Sequence, residues 1–209
     1  MIIKKYNDKK LSLENDCQLS IFFVGVGSAF SKRHYQTNII IVKGPDHVMI
    51  DCGSKAPQAL WELGLSVMDV KNFLITHSHA DHIGGLEEVM LMYRYVARKK
   101  PVIVINKIFQ HFLWDLSLRG GSSYNEEHAG SMLSFSDMWE VILPEWLPGY
   151  PRETMEASVG GINLKIFRTK HIPDFPNSWQ NSFWSCGLII DDRVMFTSDT
   201  RFDLDLITT

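Results

Sequence analysis

Thr76-His77-Ser78-His79-Ala80-Asp81-His82 decides how this chain is read. Three imidazoles and one carboxylate crowd into six consecutive positions, 77 to 82. A lone histidine is more often a satisfied core or surface residue than a ligand, so a packing explanation would need three coincidences plus an aspartate. The segment joins a short apolar run, residues 73–76, to residues 85–97, where Leu86, Val89, Met90, Tyr93 and Val96 or Ala97 recur at spacings of three and four. That is a strand leading into a helix. At a strand end alternate side chains project to one side, so His77 and His79 can face one metal ion. Once the chain turns into the helix, Asp81 and His82 can face a second. Neutral imidazole with carboxylate favours Zn²⁺, with Mn²⁺ or Fe as alternatives.

Ligands are also needed from elsewhere. His171 follows a β-rich run at 162–167, and Asp199 follows another at 194–196. Each alone is a weak signal, since Ser198-Asp199 is an ordinary turn or cap pair.

Further β-rich runs fall at 19–24, 37–42, 47–50, 101–105, 156–159 and 183–190. Gly44-Pro45-Asp46 separates two of them, and Gly160-Gly161 and Asp191-Asp192-Arg193 read as hairpin turns. A helix is expected over 55–63, N-capped by Ser54 and ended near Gly64, and another through Phe109, Phe112, Leu113 and Leu116. Residues 119–130 carry a strong loop signal, and 143–150 read as irregular. Strands with helices inserted among them, followed by hairpins, predict helices packed outside a strand sandwich.

The chain has 209 residues, 45% of them hydrophobic and 22% charged, which fits a single globular domain over 1–209. The net charge of -3 argues against bulk binding of DNA or RNA, which a basic excess usually drives. A small anionic substrate remains compatible, because bound cations add charge that the residue count omits. Cys17, Cys52 and Cys186 form no disulfide framework and fit a reducing, cytoplasmic setting. Every apolar run is far below the roughly 18 residues of a membrane span, so no membrane partner is expected.

The motif T-H-S-H-A-D-H, with His171 and Asp199 in order behind it and Met49-Ile50-Asp51-Cys52-Gly53 ahead of it, resembles the metallo-β-lactamase superfamily. The resemblance implies an α/β (α+β) fold, the metallo-β-lactamase-like αββα sandwich. It also implies two divalent metal ions: one on His77, His79 and His171, the other on Asp81 and His82, with Asp199 bridging. Asp81 would in addition orient the attacking water. Phe23-Val24-Gly25-Val26-Gly27-Ser28-Ala29, Thr169-Lys170-His171-Ile172-Pro173 and Ser198-Asp199-Thr200 look like the phosphodiesterase, ribonuclease Z-like, branch. The activity so implied is hydrolysis of a nucleotide or small phosphate diester by water activated between the metals. The alternatives are a thioesterase, lactonase or β-lactamase of the same superfamily, or a non-catalytic metal-binding fragment.

Two departures from the family pattern shape these expectations. The interval between His171 and Asp199 is too short for a tRNA-gripping arm, which argues against tRNA processing. No histidine follows His171, whereas the family supplies a distal one. The C-terminal part is therefore expected to be missing or abbreviated, with self-association into a homo-oligomer as a consequence of an incomplete sheet.

Other residues carry weaker expectations. His34 and Tyr35 can line the site or simply sit in a surface loop, and Asn38 can position that loop. The glycines at 25 and 27 mark either close approach to substrate or a tight turn. Trp179, Phe183 and Trp184 can stack on a base or join the core. His111 and His128 are expected not to be ligands, and Cys52 and Cys186 to be packed.

Overall fold

A computed structural model describes residues 5–6, 10–123, 127–128, 131–173 and 178–207. Two sheets carry the architecture. The first runs in the order β1-β2-β3-β4-β5-β8, from Ser20–Gly25 (β1), Asn38–Lys43 (β2), Asp46–Ile50 (β3), Asn72–Leu74 (β4), Val102–Val104 (β5) and Glu140–Ile142 (β8). The second runs β13-β12-β11-β10-β9, from Glu145–Trp146 (β9), Thr154–Val159 (β10), Ile162–Arg168 (β11), Cys186–Ile190 (β12) and Val194–Phe196 (β13). Glu127–His128 (β6) and Ser131–Met132 (β7) form a small separate ribbon.

Sequence chemistry explains the strand arrangement. Asn-Ile-Ile-Ile-Val of β2 is buried throughout rather than alternating, as a strand covered on both faces must be. Ile39, Ile40 and Ile41 are at most 1% exposed, and each such side chain contributes about 1.5–3 kcal/mol of burial. Gly44, with φ of +63°, and Pro45 close the hairpin to β3, where Lys43 faces Asp46. From β3 onward the first sheet is parallel, and parallel neighbours require crossovers. Ala56–Glu62 (α1) makes the first, Ala80–Ile83 (α2) and Leu86–Leu91 (α3) the second, and Lys107–Leu113 (α4), Arg119–Ser122 (α5) and Phe135–Met138 (α6) the third. Leu60, Leu86, Met90 and Leu113 bury their apolar faces in one core with Met49, Phe73 and Ile103. Leu204–Ile207 (α7) is the last element.

The second sheet is antiparallel throughout and does alternate: Ile162, Leu164 and Ile166 of β11 are buried while Asn163 is exposed. Val159 pairs with Ile162 and Ile190 with Val194, so both expected hairpins are present. Asp191 and Asp192 take φ of +50° and +52° to turn the second one. No helix among the described residues is long and apolar enough to cross a membrane.

Three local expectations are corrected. Ser54 does not cap α1, whose N-terminal position is held by Lys55 without a side-chain cap. The Ser54 hydroxyl instead meets the Gln36 side chain. The helix over 85–97 continues past α3 only as a π-helical stretch, Met92–Ala97, and a second such stretch, Trp114–Leu118, follows α4. Residues 119–122, expected as loop, form α5, while 124–126 and 129–130 lie outside the described residues.

Candidate metal centre

The strand ends converge. β3 ends before Asp51, β4 before Ile75-Thr76-His77, β11 before Thr169-Lys170-His171, and β13 before Thr197-Ser198-Asp199. Carboxyl ends of strands are where α/β proteins build their sites. The amide of Cys186, opening β12, donates to the Thr76 carbonyl at 3.1 Å and so stitches the two sheets together at this end.

The sequence around His77 folds as it does for a local reason. His79 is the N-cap of α2 in extended conformation, and His77 and His79 lie two residues apart in the short link between β4 and α2. His77 Nε2 then lies 3.0 Å from His79 Nδ1, and His79 Nδ1 lies 3.2 Å from His171 Nε2. Two nitrogens on one tetrahedral zinc at its usual bond length stand about 3.4 Å apart, so these three donors are spaced as shared ligands would be. A second group of donors within 4.8 Å of one another comprises His77, His82 and Asp199. Asp81 Oδ2 adjoins it, 3.3 Å from His82 Nε2. One Asp199 oxygen sits 3.7 Å from His82 Nε2 and 3.8 Å from His171 Nε2, between the two groups. All six residues singled out from the sequence thus fall in one continuous cluster. Its mixture of imidazole and carboxylate fits divalent cations.

A second tier of residues, given no role from the sequence, orients the donors. Asp51 is fully buried and its carboxylate accepts a hydrogen bond from His82 Nδ1 at 2.7 Å. The network therefore assigns the proton to Nδ1 and leaves Nε2 facing Asp81 and Asp199, a carboxylate–histidine arrangement that fixes both tautomer and ring plane. Asp51 also accepts from the Thr76 amide at 2.7 Å and from the Thr76 hydroxyl at 2.8 Å. That hydroxyl is 3.1 Å from His77 Nδ1 and accepts from Ser198 Oγ at 2.9 Å. Asp51, Thr76 and Ser198 thus bind three strand ends to one another. Asp51 and Ser198 are both held at positive φ, +64° and +51°, a backbone cost of order 1 kcal/mol each that the surrounding bonds offset. Gly53 completes the tier: a Cβ there would stand 2.0 Å from the Asp81 carbonyl oxygen. The Asp-x-Gly pattern is therefore one carboxylate for His82 and one gap for the backbone of α2.

The electrostatics fit residues able to hold a cation. Burial and the neighbouring imidazoles hold His77 far below the usual imidazole range, in its neutral, donating form. His171 is lowered by burial as well, although Asp199 opposes the shift. Burial also opposes charge on His82, yet the Asp51, Asp199 and Asp81 carboxylates push it up to about 12. The neighbouring His82 imidazole holds Asp199 below the ordinary carboxylate range. Asp81 is lowered too, the same imidazole outweighing its burial. Without a cation, a proton on His82 answers the local excess of negative charge.

The remaining candidates sort by position. Tyr35 hydrogen-bonds Glu62. Gly25 and Gly27 lie against the backbone of Tyr35 and Gln36, which favours the tight-turn reading over approach to substrate. Asn38 does position its loop: Oδ1 accepts from Gly53 N and Nδ2 donates to Gln36 O, both at 2.8 Å. Phe183 stacks on His79 at 5.2 Å and 11°, whereas Trp184 is buried against Arg168 and Phe109. His111 pairs with Asp115 on an exposed helix surface, away from the cluster. The His128 side chain lies outside the described residues. Cys52 and Cys186 are buried, and burial raises both thiols well above their usual range, as expected of packed cysteines.

The chain is similar to the solved metallo-β-lactamase fold protein YhfI from Bacillus subtilis, with a TM-score of 0.62 at 14% identity. That match covers 90% of this chain and 65% of that one, a likeness of fold. Among curated proteins it is 32% identical over 189 residues to the Anti-Pycsar protein Apyc1 of Paenibacillus harenae, covering 90% of this chain and 70% of the relative. It is 35% identical over 193 residues to the Anti-Pycsar protein Apyc1 of Bacillus phage BSP38, with 90% and 71% covered. The family model for Anti-Pycsar protein Apyc1 matches residues 19–209. The chain belongs to the Apyc1 family of anti-Pycsar proteins, built on the metallo-β-lactamase fold.

Proposed function

We propose that this chain is a metal-dependent phosphodiesterase whose substrate is a cyclic nucleotide. The observation that carries the reading is the convergence of His77, His79 and His171 on one centre and of His77, His82 and Asp199 on another, with Asp199 between them. Membership of the Apyc1 family supports the substrate class, and so do the net charge and the short interval between His171 and Asp199, which suit a small anion better than a nucleic acid.

His77, His79 and His171 would hold one divalent ion, and His82 with Asp81 the other, with Asp199 shared. Bound there, the ions supply charge neutralisation at the phosphate and a lowered pKa for water. The chain's own residues do the rest. Asp51 accepts a hydrogen bond from Nδ1 of His82, which leaves Nε2 as the nitrogen turned toward the site, where an ion would replace its proton. Asp81 stays ionised and accepts a hydrogen bond from the attacking water, orienting it toward phosphorus. The water oxygen bonds to phosphorus as the ester P–O bond breaks, and one proton of that water passes to the departing oxygen. Thr76 and Ser198 hold the Asp199 loop at its distance from His82 and His171 throughout.

The test is a substrate panel on the metal-loaded protein: cyclic mononucleotides and bis-p-nitrophenyl phosphate against a thioester and a β-lactam. Turnover of the phosphodiesters, lost in Asp81→Ala and Asp199→Ala, is the expected result. Turnover of the thioester or lactam alone would overturn the proposal.

A further inference from the structure

Arg168 ends β11 three residues before His171, and it is 6% exposed. Its guanidinium bridges β11 to the 179–185 segment and to Glu153. Nε donates to the Ser185 carbonyl at 3.3 Å, Nη2 to the Trp179 and Ser182 carbonyls at 3.2 and 3.4 Å, and Nη1 to the Glu153 carboxylate at 3.2 Å. Its flat face lies 4.1 Å from the centre of the Trp184 ring. A planar fork with several fixed donors does this, and a lysine would not.

The segment so held touches the metal centre. Phe183 lies between the clamped Ser182 and Trp184, and its ring is nearly parallel to His79 at 5.2 Å. Its amide donates to the carbonyl of Ile172, next to His171, at 2.7 Å. Thr169, one residue past Arg168, bonds Ser185 through both its amide (3.0 Å) and its hydroxyl (2.8 Å). His79 Nδ1 approaches both His77 and His171, so its imidazole plane sets the spacing of that donor group.

We propose that Arg168 is a positioning residue for the His77–His79–His171 group, acting through the clamped 179–185 segment and the Phe183 ring that fixes the plane of His79. The proposal deepens the metal-centre reading given above and predicts an effect on one donor group and not the other. Removing an outer partner of a metal ligand typically costs 10- to 100-fold in affinity.

Two measurements test it. In the metal-free protein, hydrogen exchange at the Phe183 amide is compared between the wild type and Arg168→Met, with loss of protection expected. Co²⁺ titration followed by visible absorption then reads two binding steps. In Arg168→Met one step weakens about 10- to 100-fold while the other stays within about threefold. Phe183→Leu, with the clamp intact, should weaken the same step, and Phe183→Tyr should restore it. Where Arg168→Met does not fold, Arg168→Lys keeps the charge and stem without the fork and serves in its place. Unchanged exchange at Phe183, equal weakening of both steps, or an unchanged titration in Phe183→Leu would each overturn the proposal. A wild type that takes up no Co²⁺ would sink the metal reading, while the exchange comparison still judges the clamp.

Discussion

Replacing Asp51 by asparagine removes one charge from the centre of the site at constant volume. The carboxylate now accepts from the Thr76 amide, the Thr76 hydroxyl and His82 Nδ1, all between 2.7 and 3.0 Å and all away from water. An amide keeps one acceptor oxygen and turns an NH₂ toward a group that is itself a donor. The bond to His82 is charge-assisted, and such bonds contribute about 1.5–3 kcal/mol. Leaving a second buried donor unmatched adds about 1–3 kcal/mol. His82 can relieve part of this by giving up its proton, so a loss of about 2–4 kcal/mol is expected. At this chain length that lowers Tm by about 5–15 °C. Metal affinity should fall as well, about 10- to 100-fold, because His82 loses the Nδ1 partner that fixes its tautomer. Differential scanning calorimetry of metal-free protein and a competition titration with a chromophoric chelator measure the two effects. An Asp51→Asn variant that melts and binds metal like the wild type would refute the assignment of Asp51 as the group that orients His82.

Gly53→Ala should misplace the start of α2, because the new methyl meets a backbone carbonyl that no rotamer can move aside. A loss of about 3 kcal/mol in urea unfolding is expected, and an unchanged midpoint would contradict the close approach. Asp199→Asn should lower kcat/KM by more than about 100-fold with little change in Tm, since its side chain is 42% exposed and the fold does not rest on it. A pH effect is expected far from the site. His47 is 3% exposed, and burial lowers its pKa below the usual 6.5. The unfolded chain therefore binds the proton first, and the stability His47 contributes is complete above about pH 6.5 and drains away as the pH falls below it. The stability difference between wild type and His47→Gln should shrink between pH 7.5 and 5, and a constant difference would contradict this.

The sequence disclosed the donors because their chemistry is local. His77, His79, Asp81 and His82 crowd one strand-to-helix junction, a density that packing alone does not call for. β2 and the Gly160-Gly161 hairpin were legible for the same reason: an Ile-Ile-Ile run and a two-residue glycine turn encode themselves. What stayed hidden depends on long-range geometry. Asp51 looked like the end of a strand motif, and only the meeting of β3 with β4 makes it the partner of His82. Ser54 read as a cap, yet the approach of Gln36 from 18 residues away claims its hydroxyl. Arg168 resembled any charged residue at a strand end until its carbonyl partners were brought round it. The π-helical stretches in the second and third crossovers leave the same apolar spacing as ordinary helix, so periodicity does not separate them.

The most direct test of the account is the metal content of protein purified without chelator, read by plasma mass spectrometry on the wild type and on His79→Ala/His171→Ala. Two donor groups predict about two divalent ions per chain in the wild type and about one in the double variant. A folded wild type that carries none, or a double variant that keeps the full complement, would contradict it.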